Sequence, residues 1–302
     1  MPANLPAPPS VRPLSFHGQP AMQLALPTGE TATVALQGAQ VLSWTGRGGA
    51  ERMYFSPRAR LDGHSPIRGG IPVCFPQFNQ RGPLAKHGFV RNLPWRLESR
   101  SEGEGQGDGE SGVDAGVDAG VARAVFALDD TAETRAWWPH GFAARLTVEL
   151  SAEHLLLDLA VRNTGTTAWD FTAALHGYYR VSDIAATRVE GLDGRPRWDS
   201  VADVHSVQQG PVAFDGEYDA IFSAAATPLR LHAGDHTLSL AQSPSWINTV
   251  VWNPGAALCA TLPDMPADGY RHMVCVEAAC IDQPVHLEPG AGWSGWQRLR
   301  AD

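Results

Sequence analysis

The chain contains few cysteines and almost no lysine. Of its 302 residues, 23 are Lys or Arg and 32 are Asp or Glu, giving a formal net charge of −9, and Lys86 is the one lysine. This acidic balance argues against a general binder of nucleic acid or of anionic membranes. The four cysteines show no C-x-x-C spacing and have apolar neighbours. They predict buried, reduced thiols, with a disulfide or a zinc site as the alternative.

Long apolar runs and helical patterns are missing as well. No segment approaches the roughly 20 apolar residues that a membrane-spanning helix needs. The start, MPANLPAPPS, lacks the charged region and the apolar stretch of a secretory signal. We therefore expect a cytoplasmic protein without a membrane partner. No Gly-rich loop joins a strand to a helix, which disfavours a doubly wound nucleotide-binding fold.

The sequence is rich in the period of two that is typical of β-strands. In residues 154–162, every second residue from Leu155 to Val161 is apolar, while Asp158 and Arg162 fall on the other face. Similar runs recur as TATVAL, RLTVEL, PLRLH, HTLSL, INTVVW and HMVCVEA. With 31 Gly and 23 Pro to form turns between them, these runs predict an all-β fold, a large antiparallel sandwich.

Residues 101–120 differ from the rest of the chain. They contain six acids, no bases and many glycines, a composition that buries too little apolar surface to offset its ordering entropy. We expect a mobile acidic loop inserted between two strands of a single domain that spans residues 1–302. A linker between two domains is the alternative, but strand patterns of the same kind flank the segment on both sides.

The segment from Arg68 to Trp95 concentrates the basic charge. Residues 58–100 hold eight Arg and Lys against two acids, and Pro and Gly pairs beside aromatic residues predict a rigid, buried loop. Cations in such a loop need anionic partners. Arg68, Lys86 and Arg91 therefore bind an anionic ligand or pair with internal carboxylates, and composition leaves both possibilities open.

Two other residues are candidates for proton transfer. His176 lies in the apolar run FTAALHGYYRVSDI; a strand histidine is more often a hydrogen-bonded core residue, but its pKa near neutrality suits an acid or base. Glu277 lies in the apolar run HMVCVEAACI. A carboxylate is costly to bury unpaired, so Glu277 is either in an ion pair or at a cleft, and spacing does not choose.

Taken in order, these segments resemble the hexose-6-phosphate mutarotases, or glucose-6-phosphate 1-epimerases, of the aldose 1-epimerase superfamily. The resemblance covers most of the chain and rests on RGGIPVCFPQF, KHGFVRNLPW, WPHGFAARLTVEL, ALHGYYRVSDI, DGEYDAIF, VVWNP and MVCVEAA. It implies a galactose mutarotase-like antiparallel β-sandwich with a sugar-binding groove on its concave sheet. It also implies cofactor-independent interconversion of the α and β anomers of a hexose 6-phosphate, most simply glucose 6-phosphate.

The resemblance assigns roles to individual residues. It implies that His176 and Glu277 are the catalytic pair, with Glu277 taking the proton of the anomeric hydroxyl and protonated His176 giving one to the ring oxygen. Substrate binding falls to a second set: Arg68, Lys86, His87, Arg91, Asp219 and Trp252, with Asn253 shaping the pocket. Within it the arginines and Lys86 are the expected phosphate ligands, although Lys86 would equally suit a ring hydroxyl.

The chain departs from the family pattern at four positions. Lys86 stands where Gln is common, Gly177 where a hydroxyl residue is common, Gly255 where an aromatic is frequent and Ala278 where Pro is usual. These changes leave the catalytic pair in place. They bear on the fit of the sugar ring, so the preferred hexose stays open.

Two other functions stay open at this point. An aldose 1-epimerase acting on neutral sugars would use the same chemistry, and a non-catalytic sugar-phosphate-binding protein would keep the groove without turnover. We expect a monomer whose small-molecule site needs neither metal nor redox cofactor, because the oxidation state of the sugar does not change.

Overall fold

The runs with a period of two are strands in the computed structural model. The structure describes residues 8–46, 48–101 and 120–302. Its strands in these ranges are, in chain order, β1 Ser10–Phe16, β2 Gln19–Ala25, β3 Thr31–Ala35, β4 Val41–Thr45, β5 Val73–Cys74, β6 Arg96–Arg100, β7 Ala122–Asp129, β8 Phe142–Leu150, β9 Leu155–Asn163, β10 Trp169–Leu175, β11 Tyr178–Arg180, β12 Arg188–Glu190, β13 Pro196–Asp199, β14 Val204–Val207, β15 Val212–Ala213, β16 Tyr218–Ser223, β17 Leu229–His232, β18 Thr237–Gln242, β19 Asn248–Asn253, β20 Met273–Leu287 and β21 Gly292–Ala301.

Helical structure is confined to short segments between the strands. The helices of the described ranges are α1 Ala132–Trp137 and α2 Gly255–Cys259, with 3₁₀ turns at Val90–Asn92, Ile184–Ala186 and Gly269–His272. Thr131 caps α1 through a reciprocal pair of hydrogen bonds with Thr134. In the part of the chain that the structure describes, no helix has the length and apolar character to cross a membrane.

The described strands form three sheets, and all pairings between them are antiparallel. Strands β1 to β4 form a small N-terminal sheet in chain order. The site sheet has the order β14, β13, β16, β19, β20, β10, β5, with β11 also paired to β20. The back sheet has the order β15, β12, β17, β18, β21, β9, β8, β7, β6.

The site sheet and the back sheet share one apolar core. Leu146 on β8 and Leu157 on β9 belong to the same buried cluster as Val251 on β19 and Val276 on β20. Burying such side chains between two sheets stabilises the fold by roughly 25 cal/mol per Å² of apolar surface. The predicted antiparallel β-sandwich is therefore confirmed.

Other predictions from the sequence can be followed in the structure. All four cysteines are buried and free, as their apolar neighbours indicated. The acidic stretch, apart from residues 101 and 120, lies outside the described residues. The strands on either side of it, β6 and β7, pair with each other.

Two glycines allow close backbone contacts beside the site sheet. Gly70 has φ +62°, and a Cβ there would lie 2.0 Å from the carbonyl oxygen of Val41. Gly88 has φ +71°, and a Cβ there would lie 2.1 Å from the carbonyl oxygen of Phe75. Glycine lacks the Cβ that would clash, so the RGG and HGF segments, which carry Arg68 and His87, can approach the neighbouring backbone this closely. A larger residue in place of either glycine would displace that backbone.

We expect Gly70→Ala to destabilise the fold far more than a matched control. Gly194 has a similar φ of +73° but nothing within 4 Å of the added Cβ. Gly194→Ala should therefore lower the free energy of unfolding only by the cost of the left-handed conformation, about 1–2 kcal/mol. Gly70→Ala should cost a further ~1–3 kcal/mol from overpacking against the Val41 backbone. Denaturant unfolding of both variants measures the difference, and equal losses would contradict the close contact.

Candidate active site

The alternation of side chains along β20 separates the core from a second, functional face. Val276 and Ala278 join the core that the two large sheets share. Cys275 and Glu277 therefore project from the opposite face of the site sheet. The same strand thus contributes to the main core and to the site.

Strand register brings other candidate residues to this face. Asp219 on β16 pairs with Trp252 on β19, and Trp252 pairs with Cys275 on β20. Tyr178 on β11 pairs with Cys275 from the other side. His176 lies between β10 and β11, where its backbone N–H donates to the carbonyl oxygen of Pro72 at 2.9 Å. The sheet therefore positions the central side chains of the site.

A cavity of about 400 Å³ opens on this face, within the range typical of small-molecule sites. Its lining includes all eight residues that the sequence analysis assigned to the site: Arg68, Lys86, His87, Arg91, His176, Asp219, Trp252 and Glu277. These residues come from distant parts of the chain, and the fold brings them together.

Asn253 does not line this cavity, unlike its neighbour Trp252. Its side-chain amide donates to the carbonyl oxygens of Tyr270 and Met273, both at 2.8 Å, and its Oδ1 accepts from the N–H of Gly255 at 2.9 Å. It fixes the chain that leaves β19 and shapes the site only indirectly.

His176 and Glu277 form a close, buried pair. His176 Nδ1 lies 3.3 Å from Glu277 Oε1, and the two residues are 7% and 1% exposed. Nδ1 of His176 has no hydrogen-bond partner in the described ranges, so this contact is not aligned as a hydrogen bond, and the other carboxylate oxygen of Glu277, Oε2, is also unpartnered there. Unpaired polar atoms at this depth are costly, so both groups have unused capacity to bond a ligand.

Burial favours the uncharged form of each member of the pair. It lowers the pKa of His176 well below its usual range, and the positive charges of Arg91 and Arg68 lower that pKa further. Burial also raises the pKa of Glu277 well above its usual range, as does the negative charge of Asp219. Such opposed pKa shifts within one cleft are typical of catalytic acids and bases.

His87 lies next to His176 with a defined tautomer. Its Nδ1 accepts from the backbone N–H of Asn79 at 3.2 Å, and burial lowers its pKa. The neutral ring then carries its hydrogen on Nε2. The ring centroids of His87 and His176 are 5.2 Å apart, so His87 is a hydrogen-bond donor beside the pair.

The cations around the cavity divide into paired and unpaired groups. Arg68 Nη2 lies 3.2 Å from Asp264 Oδ1, which confirms an internal carboxylate for this arginine. Lys86 and Arg91 have no acidic partner among the described residues, and Arg91 Nη2 donates to the carbonyl oxygen of Lys86 at 2.7 Å. These two cations are therefore available to an anionic ligand.

Many lining or contacting residues were not identified from the sequence, and four of them show why. Tyr178 and Cys275 lie two residues from His176 and Glu277, so the period of two could have placed them on the same face. Asp264 lies in the loop after α2, where no pattern points to Arg68. Trp198 lies under the guanidinium of Arg81, with 4.7 Å from Arg81 Cζ to the ring centroid, and no signal in the sequence pairs them.

One group of side chains could in principle hold a metal ion. Ligand atoms of His176, Cys275 and Glu277 all lie within 4.8 Å of one another. Two of these three groups, His176 and Glu277, already form a close pair with each other. We assign no metal to this group, and the expectation that the reaction needs none stays a prediction.

The fold and cavity define an antiparallel β-sandwich with a small-molecule site on the outer face of one sheet. Residues 20–300 match the family model described as aldose 1-epimerase. A Cenchrus ciliaris protein provisionally named glucose-6-phosphate 1-epimerase is 33% identical over 276 residues, covering 89% of this chain and 81% of that protein. A protein with the same provisional name from Escherichia coli strain K12 is 35% identical over 273 residues, covering 85% and 84%.

Solved structures agree with these sequence relatives. The provisionally named mutarotase YeaD from Salmonella typhimurium superposes with a TM-score of 0.82 at 27% identity, covering 96% of this chain and 93% of YeaD. The Slr1438 protein of Synechocystis sp. shares the fold, with a TM-score of 0.73 at 19% identity and coverage of 98% and 97%. The chain belongs to the aldose 1-epimerase family and is thus an isomerase with a small sugar as substrate.

We expect Glu277→Gln to stabilise the protein increasingly as pH rises. Because burial raises the pKa of Glu277 above its ordinary value of 4.5, the unfolded chain releases this proton before the folded chain does, and the folded state loses stability above that pH. Gln does not titrate. The variant's Tm should match that of the wild type near pH 4 and exceed it by a growing margin towards about pH 8. Thermal unfolding across this range, beside Glu153→Gln at an exposed site, tests this; a constant margin would contradict it.

Proposed function

We propose that this protein interconverts the α and β anomers of a hexose 6-phosphate, with glucose 6-phosphate as the first candidate. The observation that carries the proposal is the shared cavity: the buried His176–Glu277 pair and the unpaired cations Lys86 and Arg91 line the same 400 Å³ space. The names of the Cenchrus and Escherichia relatives point to the same substrate.

The phosphate is assigned to Arg91 and Lys86. A phosphate monoester carries nearly two negative charges near neutral pH, and Arg binds its oxygens with planar, paired hydrogen bonds. The charge of Arg68 is already compensated by Asp264. The sequence grouped these three cations as phosphate ligands, but the ion pair compensates Arg68 and leaves Lys86 and Arg91 as the members of that group without an acidic partner in the described ranges.

Ring opening requires two proton transfers at the anomeric centre. In the reactive state of the pair, one proton has passed from Glu277 to His176, whose facing atoms lie 3.3 Å apart. Glu277 as carboxylate then removes the proton of the O1 hydroxyl, and protonated His176 gives a proton to the ring oxygen O5. The C1–O5 bond breaks as the C1–O1 bond becomes a carbonyl. General acid–base catalysis by such a pair contributes roughly 10²- to 10⁴-fold for each group.

Ring closure reverses these transfers after the aldehyde has turned about the C1–C2 bond. His176 takes back the proton of the O5 hydroxyl while Glu277 returns a proton to the carbonyl oxygen. Either face of the aldehyde closes, which gives both anomers. The Nε2–H of His87 and the carboxylate of Asp219 line the cavity and bind the sugar hydroxyls in this proposal, while Trp252 covers an apolar face of the ring.

Phosphate binding also favours the protonated form of His176. The charges of Arg91 and Lys86 are among the causes that lower the pKa of this imidazole. A phosphate dianion beside them adds negative charge to the same cavity and offsets this effect. The phosphate thus contributes to acid catalysis as well as to binding.

The remaining expectations from the sequence complete the proposal. A single domain over residues 1–302 accords with β5 and β10, on either side of the chain's midpoint, pairing directly. A monomer accords with a cavity that one chain lines. We also propose a cytoplasmic location, where hexose phosphates are made and used, and no nucleic-acid partner.

The catalytic assignment predicts large losses for two conservative variants. Glu277→Gln keeps the shape of the side chain without a base, and His176→Asn removes the acid. Each should lower mutarotation of glucose 6-phosphate by roughly 10²- to 10⁴-fold. NMR exchange between the anomers, corrected for the uncatalysed rate, measures this. Near-wild-type rates in a folded variant would exclude that residue, and Glu153→Gln is the control for the charge change.

The phosphate assignment predicts a substrate-dependent effect at Arg91. Arg91→Ala should lower kcat/KM for glucose 6-phosphate by roughly 10- to 100-fold, the scale of losing a charge pair at a binding site, and change any activity on free glucose far less. Arg91→Lys should recover part of the loss. Arg162→Ala, on the exposed side of β9, controls for the loss of one arginine. Equal losses on both sugars would reject the assignment.

A further inference from the structure

Arg68 is held in place by three side-chain contacts. Its Nε donates to Asp264 Oδ2 at 3.2 Å, and its Nη2 lies 3.2 Å from Asp264 Oδ1 as an ion-pair contact without hydrogen-bond geometry. Its Nη1 donates to the hydroxyl of Tyr178 at 3.0 Å. Both side chains of the ion pair are largely buried, at 21% and 17% exposed. A paired guanidinium in such a setting has one orientation.

Tyr178 in turn packs against the imidazole of His176. The two rings are parallel within 8°, with centroids 4.9 Å apart, and Tyr178 is only 4% exposed. Trp252 meets both rings edge-on, with centroids 6.2 Å from His176 and 6.1 Å from Tyr178. The imidazole therefore has a fixed plane, which determines where its nitrogens point.

We propose that Asp264, Arg68 and Tyr178 form a positioning chain for His176, in which Asp264 holds Arg68, Arg68 holds the Tyr178 hydroxyl and the Tyr178 ring fixes the imidazole plane. This inference rests on the proposed role of His176 as the acid. It makes Asp264 and Tyr178 positioning residues, although neither takes part in proton transfer.

The chain also controls the charge that faces His176. The titratable and charged groups around the imidazole are Glu277 and Cys275 on β20, Tyr178 on β11, His87, Lys86 and Arg91 from the HGF segment, and Arg68 from the RGG segment. Asp264 compensates Arg68 within this set. Removing the Asp264 charge leaves Arg68 bare, and an uncompensated cation disfavours a protonated imidazole.

Two variants separate the contributions of charge and packing. Asp264→Asn keeps the size of the side chain and removes its charge, so His176 should titrate at lower pH than in the wild type. Tyr178→Leu removes the stacked ring, so the upfield ring-current shift of the His176 protons should disappear. Because the acid is then misplaced, kcat should fall about 10- to 100-fold, while KM should change less than about threefold. Tyr178→Phe keeps the ring and should retain the ring-current shift.

The primary measurement is an NMR titration of the histidine signals without substrate, with the His176 signal assigned by its loss in His176→Asn. The pH profile of kcat on glucose 6-phosphate is the second readout. The limb on which kcat falls as His176 loses its proton should move to lower pH in Asp264→Asn. Asp302→Asn is the matched control, since it removes the partner of Arg230, at 3.3 Å, in a pair outside the cavity.

The outcomes separate this inference from the proposed function. Unchanged titration of His176 in Asp264→Asn, together with an unchanged ring-current shift in Tyr178→Leu, overturns the positioning chain even if the enzyme is active. A change in KM alone, with kcat and titration as in the wild type, also overturns it and makes Arg68 a simple substrate ligand. If the wild type does not act on hexose 6-phosphates, the proposed function fails, and the NMR titration still decides the positioning chain.

Discussion

The alternation of side chains along β20 is the constraint on which the rest of this structure depends. One set of its residues completes the core between the two large sheets, and the other set carries Glu277 to the opposite face. Neither set can shift by one residue without placing a carboxylate in the core and apolar side chains in the cavity. The stability of the sandwich and the position of Glu277 are therefore specified by the same hydrogen-bonded register.

Burial and nearby charges determine the protonation of the site. His176 and Glu277 are buried deeply enough to favour the neutral form of each, and the segments beside them carry the cations. One of these, Arg68, is neutralised internally by Asp264, whereas Arg91 and Lys86 have no acidic partner in the ranges that the structure describes. The cavity thus contains cations whose charge no neighbouring carboxylate compensates, and the proposed sugar phosphate would compensate it.

The sequence allowed the sandwich and the membership of the site to be predicted, but not the contacts between site residues. Period-two runs and turn residues identify strands such as β9 and β19, because burial on one face leaves a local pattern. His176 and Glu277 could be chosen by residue type and by resemblance. The pairing of Arg68 with Asp264 joins residues 196 positions apart, and the stacking of Tyr178 on His176 depends on register between strands. Such contacts are set by the tertiary fold and leave no signal in a single sequence.

The placement of His176 beside β20 fixes its spacing from Glu277, whereas other residues that line the cavity are free to vary. His176, between β10 and β11, and Glu277 on β20 are held by neighbouring stretches of one sheet, whose strands are spaced about 4.8 Å apart by backbone hydrogen bonds. Much of the remaining cavity lining comes from connecting segments, including those that carry Arg60, Lys86 and Leu262. Substitutions or insertions there can alter the shape of the cavity without changing the spacing of His176 and Glu277. The fold is therefore suited to acquire new sugar preferences while it keeps a single chemistry.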